Sequence, residues 1–204
     1  MELYDSEEQQ VEAIKDWWRE NGKAVILGAV IGLGGLFGWR YYQDSVIEGQ
    51  EVASSNYTVA MTSLMTQGSD ANNDVQAFID ANGDTEYSVL AALQLAKVQI
   101  EAGDVEQALA QLEWAKSATK DEALLPLVTY RVARVKAELA NFDGALTDLD
   151  SIVDEAWTGR VAELRGDIAL RKGDDDAAYR AYTEAQQAAD ASQTLQVKLD
   201  DLAK

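Results

Sequence analysis

GDVEQALAQLEWA, residues 103–115, recurs with altered spelling as NFDGALTDLDSI at residues 141–152 and as GDDDAAYRAYTEA at residues 173–185. In each copy a Gly or Asn turn precedes a helix-forming run. That run places a small residue (Ala108, Ala145, Ala178), a bulky one four positions on (Leu112, Leu149, Tyr182), and another apolar one three further (Ala115, Ile152, Ala185). Offsets of zero, four and seven share one face of a 3.6-residue helix. A second helical stretch precedes each copy: Ser88 to Ala102, Leu127 to Ala140 and Arg160 to Lys172. Their small residues Ala96, Ala133 and Gly166 suit a close crossing with the helix that follows. Past residue 45 there is one proline, Pro126, and little period-two alternation, so the expected fold class is all-α.

The aligned alanines lie 37 and 33 residues apart, near the ~34-residue period of helix-turn-helix arrays. The pattern resembles the tetratricopeptide repeats, although that family's early Trp and later Pro are missing. Working outward, Ser45 to Thr66 and Asn73 to Ala81 read as two helices of a divergent first repeat, with QGSDAN between them. Ser192 to Ala203 carries Leu195, Leu199 and Leu202 at helical spacing and is expected to cover the open end of the stack.

Ahead of the repeats, residues 24–39 form a run of 16 uncharged residues holding five glycines. At ~1.5 Å per residue it spans roughly 24 Å of the ~30 Å hydrocarbon layer. Trp39, Tyr41 and Tyr42 suit an interfacial belt, and Lys23 and Arg40 can extend their charges outward, so residues 24–42 are expected to form a transmembrane helix. The acidic lead-in and the ending WRYYQDS, which has no small-x-small cleavage site, favour an uncleaved anchor over a signal peptide. Gly28, Gly32 and Gly35 leave one face nearly bare for a membrane partner. In residues 1–23, Ser6 and Gln9 form a capping-box pattern. Val11, Ile14, Trp17 and Trp18 follow at helical spacing, and Asn21-Gly22 is expected to stop that helix.

Lys15, Arg19 and Lys23 lie before the span; after Arg40 the next basic residue is Lys97. The positive-inside rule therefore expects a cytoplasmic N-terminus and a translocated domain at residues 43–204, in the periplasm of a Gram-negative cell.

The formal charge is −19, and residues 41–204 carry 13 basic against 29 acidic residues. That balance disfavours nucleic acid and anionic surfaces. With no His and no Cys, imidazole and thiol chemistry and the common zinc sets are excluded. The run Asp174-Asp175-Asp176 lacks the alternating oxygen ligands of a calcium loop, and no glycine-rich stretch ends in the phosphate-binding Gly-Lys-Ser/Thr. No catalytic, metal or cofactor residues are expected.

From the EEQQVEAIKDWWRENGKA tail through the glycine-rich span ending GWRYY to the degenerate repeats, the chain resembles the YfgM family of ancillary SecYEG translocon subunits. The resemblance implies an inner-membrane protein of type II topology that contacts SecYEG. It also implies work with the chaperone PpiD in passing nascent secretory proteins to periplasmic chaperones, and a part in the Rcs stress response. The tetratricopeptide likeness implies a concave protein-binding surface on the first helix of each pair, with Leu93, Lys97, Ile100, Tyr130, Arg134, Glu138, Asp167 and Arg171 as candidates. The alternative is a general envelope scaffold for a division or secretion complex.

Overall fold

A computed structural model describes residues 7–202. The Ser6–Gln9 capping box and the Ala203 end of the last helix lie outside the described residues. Among those described there are no strands. The helices are α1 (Glu7–Gln67), α2 (Asn72–Ala81), α3 (Glu86–Ala102), α4 (Val105–Ala118), α5 (Leu125–Glu138), α6 (Phe142–Asp150), α7 (Thr158–Arg171), α8 (Asp175–Gln187) and α9 (Leu195–Leu202). Single 3-10 turns occupy Gly68–Ala71 and Glu155–Trp157. The chain divides into two compact units, Met1–Val52 and Ala53–Lys204.

The first unit is helical from Glu7 onward. It holds the one stretch, among the described residues, that is long and apolar enough to cross a membrane; its 18-residue window has a mean hydropathy of 1.6. Ile31 and Phe37 are each 66% exposed. Apolar surface left in water forgoes ~25 cal/mol per Å², so this segment calls for lipid or protein around it. The expected helix stop at Asn21-Gly22 is absent, because α1 continues through it. Two local contacts account for the difference. The Asn21 amide donates back to the Trp17 carbonyl at 3.0 Å, and the Trp18 indole covers Gly22, where an added Cβ would meet the ring at 3.3 Å. A stop needs the glycine in a left-handed cap, whereas here glycine makes room for an indole inside the helix.

In the second unit α3 packs on α4, α5 on α6 and α7 on α8, with α2 joined to α3 and α9 to α8. The helix pairs are those the repeats predict. Their apolar stripes bury Ala108, Leu112 and Ala115 in the first pair, Ala145 and Leu149 in the second, and Ala178, Tyr182 and Ala185 in the third. The small residues of the first helices match these partners in size. Ala96 shares a core with Leu112 and Ala133 shares one with Leu149. At Gly166 a Cβ would sit 2.4 Å from the Tyr182 ring, so the largest partner faces the residue with no side chain.

The turn inside each pair is a repeated Schellman closure. Gly103 N donates to Ile100 O and Asp104 N to Gln99 O; Ala140 N donates to Ala137 O and Asn141 N to Lys136 O; Gly173 N donates to Leu170 O and Asp174 N to Ala169 O. The left-handed residues are Gly103, Ala140 and Gly173, with φ of 90°, 58° and 78°. In the middle repeat the turn expected at Asn141 therefore pivots one residue earlier, on Ala140. Asn141 instead caps α6, its side chain accepting from Gly144 N at 3.1 Å, as Asp174 caps α8 from Ala177 N at 2.9 Å.

The divergent first repeat is built from the end of α1 and α2. Tyr57 stacks obliquely on Phe78 and Tyr87 at 6.2 and 5.6 Å, and Ala60 and Leu64 join Val75 and Ile79 in one core. At the other end Leu195 and Leu199 of α9 cover Ala162, Ala178 and Tyr182, as the sequence predicts.

Candidate protein-binding grooves

The first helices of successive repeats leave grooves between them. Between the end of α1 and α3 lies one of about 660 Å³, lined by Tyr57, Met61, Met65 and Lys97 among others. Between α3 and α5 lies one of about 320 Å³, floored by Leu93, Ala96, Leu112 and Val135 and edged by Lys97, Ile100, Arg131, Arg134 and Glu138. Between α5 and α7 lies one of about 340 Å³ that includes Arg134, Glu138, Asp167 and Arg171. Lys97 lines the first two grooves and Arg134 and Glu138 line the last two, so the three form a row.

Seven of the eight residues named from sequence line these grooves. Leu93, 4% exposed, is part of the core floor, whereas Ile100 is 42% exposed at the rim. Tyr130, the eighth, has its half-buried ring packed on Trp157 at 5.6 Å, with Arg160 over the indole at 5.0 Å. Burial pushes the Tyr130 hydroxyl above the ordinary tyrosine pKa.

Charge along the row follows the repeat register. Lys97 and Glu101, Arg134 and Glu138, and Asp167 and Arg171 are i,i+4 pairs at matching positions, but the third is reversed in sign. Lys97 pairs with its own Glu101 at 3.8 Å. Arg171 reaches across to Glu138 at 3.3 Å and to the Glu138 carbonyl at 3.4 Å. Asp167 accepts from Tyr182 Oη at 2.7 Å and is paired with Lys198, which also binds Glu163 at 2.9 Å. Among the described residues no carboxylate comes within salt-bridge distance of Arg131 or Arg134.

Sequence reading missed two polar clusters that hold this row in place. Asp148, 6% exposed, binds Lys116 at 2.6 Å and Lys136 at 2.9 Å, and Lys136 also meets Glu113 at 3.1 Å. Burial works against the Asp148 carboxylate, but the two lysines outweigh it and hold its pKa below the ordinary value. For Lys136 burial is likewise outweighed, by Asp148 and Glu113, and its pKa is raised. The signal was positional. Gln111 stands at the matching place in the preceding repeat and reaches back to hydrogen-bond Gln76, as Asp148 reaches back to Lys116. The second cluster joins Lys198, Asp167, Glu163 and Tyr182. Burial and then the Asp167 hydrogen bond raise the Tyr182 hydroxyl well above its ordinary pKa. Of the carboxylates in these clusters Asp167 alone is among the residues lining the grooves, and it is engaged by Tyr182 and Lys198. In the first unit, Cβ atoms added at Gly28, Gly32 or Gly35 would meet nothing within 4 Å, so the expected partner-facing stripe is open.

Comparison with known proteins places the chain. Residues 15–204 match the family model of a tetratricopeptide repeat-like domain. The ancillary SecYEG translocon subunit of Escherichia coli is 37% identical over 206 residues, covering 99% of both chains. That of Haemophilus influenzae is 36% identical over 198 residues, covering 96% of this chain and 97% of its own. Two solved structures show the fold. A thermophilic tetratricopeptide protein of Thermus thermophilus has a TM-score of 0.53 at 17% identity, covering 93% of this chain and 98% of its own. A double mutant of MamA has a TM-score of 0.58 at 14% identity, covering 74% and 82%. Full-length kinship at this level, on an all-α repeat fold with one apolar N-terminal helix, makes the chain a member of the family of ancillary SecYEG translocon subunits.

Proposed function

We propose that this protein is a single-pass subunit of the SecYEG translocon that works by binding, not by chemistry. Residues 24–42 anchor it in the inner membrane, residues 1–23 stay in the cytoplasm, and residues 43–204 form a periplasmic repeat domain. The groove row on α3, α5 and α7 takes a protein partner, PpiD or a nascent secretory chain, and helps pass that chain to periplasmic chaperones. The observation that carries this reading is the combination, on one chain, of a bare apolar helix and a row of grooves with apolar floors and charged rims.

Tethering supplies the energetics. A domain held on the same polypeptide as a membrane anchor meets channel-bound partners at an effective concentration in the millimolar range for short links, so modest groove affinity suffices. The Gly28, Gly32 and Gly35 stripe adds a second contact through close helix packing.

Photo-crosslinking in cells from position 134, with position 180 on the exposed side of α8 as control, tests the proposal. Adducts with SecYEG, PpiD or secretory chains from 134 alone are expected. Adducts only with division or cell-wall proteins would favour a general envelope scaffold. Changing Gly28 and Gly32 together to Leu is expected to leave insertion intact and reduce co-isolation of the membrane partner; undiminished recovery would remove the stripe from the account.

A further inference from the structure

The domain is strongly acidic, yet the centre of the groove row is not. Lys97, Arg131 and Arg134 all edge the groove between α3 and α5. Two carboxylates share that groove, and both are taken: Glu101 by Lys97 at 3.8 Å and Glu138 by Arg171 at 3.3 Å. The reversed pair in the third repeat produces this imbalance. Had Asp167 and Arg171 kept the order of Arg134 and Glu138, Glu138 would be available to Arg134 one turn away on α5. Instead Arg171 draws Glu138 toward α7, while Asp167 is held by Tyr182 and Lys198. Arg131 and Arg134 stand on one helix, three residues apart, beside an apolar floor of Leu93, Leu112 and Val135. A guanidinium pair next to an apolar recess matches a carboxylate beside an apolar side chain.

We propose that the α3/α5 groove binds an extended segment of a partner protein in which an aspartate or glutamate side chain adjoins an apolar residue. The carboxylate sits at Arg131 and Arg134, and the apolar side chain sits on Leu93 and Val135 with Ile100 at the rim. A volume of about 320 Å³ takes one or two side chains, so selectivity lies in a short motif and not in a long helix. A basic segment is disfavoured here although it would suit the rest of the domain surface, and that contrast makes the groove selective. The proposal rests on the protein-binding reading above and specifies what is bound.

The test uses the full chain in mild detergent against a cellulose array of twelve-residue peptides. Its paired members differ only in Asp or Glu against Asn or Gln beside a Leu, Val or Phe, with a third member carrying Lys. The acidic members should retain about tenfold more protein than their amide twins, as expected for one charge-assisted pair, and lose that advantage as salt is raised. Arg131→Gln with Arg134→Gln should erase the preference without changing the helical circular dichroism or melting midpoint. Equal retention of acid and amide members, preference for Lys members, no retention of any member, or a preference that survives the double substitution would each overturn the proposal. Co-isolation of SecYEG with the same tagged chain reads the underlying function separately. If SecYEG is recovered while the array shows no acid preference, the groove assignment alone fails; if SecYEG is not recovered, the translocon reading fails with it.

Discussion

Ala140 carries a φ of 58° at a turn where the flanking repeats use Gly103 and Gly173. An L-residue in this left-handed region is strained by about 1–2 kcal/mol. Ala140→Gly is therefore expected to raise stability by about 0.5–1 kcal/mol after the added chain entropy of glycine is offset, visible as a higher urea midpoint followed by Trp114 and Trp157 fluorescence. The Asp148 cluster makes the opposite prediction. Removing its carboxylate leaves Lys116 without its partner and Lys136 with Glu113 alone, and Asp148→Ala should cost about 3 kcal/mol.

The pH dependence of this cluster has a definite sign. The folded pKa of Asp148 is lowered, so the stability it contributes is complete above the unfolded value of ~3.9 and is lost as pH falls through the lower folded value. The pKa of Lys136 is raised, so its contribution is complete below the unfolded value of ~10.4 and lost as pH rises through the folded value. Melting midpoints across pH should show an acid limb that is shallower in Asp148→Asn. An unchanged acid limb would assign the stability to other carboxylates.

At the scale of elements, the helix pairs were legible because size and spacing repeat. Ala96 and Leu112, Ala133 and Leu149, and Gly166 and Tyr182 occupy matching positions, and a 3.6-residue period needs only these to fix which faces meet. The stop expected at Asn21-Gly22 failed because sequence alone does not tell a capping glycine from one that admits an indole: the choice was made by Trp18, four residues away. The turn misplaced by one residue at Asn141 failed because asparagine serves equally as left-handed residue and as N-cap. Seven of the residues named from sequence line the grooves because the repeat register sets which helix face is open, whereas Tyr130, at the position of Leu93 in its repeat, packs on Trp157, an aromatic neighbour outside the repeat pattern. The size rule is testable. Gly166→Ala should destabilise by about 1–3 kcal/mol through overpacking on Tyr182, and adding Tyr182→Leu should recover part of that loss, short of the whole because the Asp167 hydrogen bond goes too. A double-mutant cycle showing no coupling would mean the helices shift freely at this crossing.

For the whole molecule, the division at Val52 and Ala53 falls within α1 and separates its exposed apolar part from a domain with its own core. That core begins with Ala53, Ala60 and Leu64. A fragment of residues 43–204 keeps all three and is expected to be monomeric in detergent-free buffer, to melt cooperatively, and to show the same Asp148-dependent acid limb as the full chain. It should no longer co-isolate with SecYEG at cellular concentrations, since the loss of tethering lowers effective concentration by orders of magnitude while leaving every groove contact intact. Restoring an unrelated apolar span with three preceding basic residues separates the two roles of α1. Recovery of co-isolation would show that confinement to the membrane is sufficient, and failure would assign recognition to the Gly28, Gly32 and Gly35 face. Moving those basic residues to the far side of the span should invert the proposed topology, and a periplasm-dependent reporter at the C-terminus should then fall silent; a reporter active in both orientations would contradict the proposed insertion polarity, on which the proposed periplasmic access to the grooves depends.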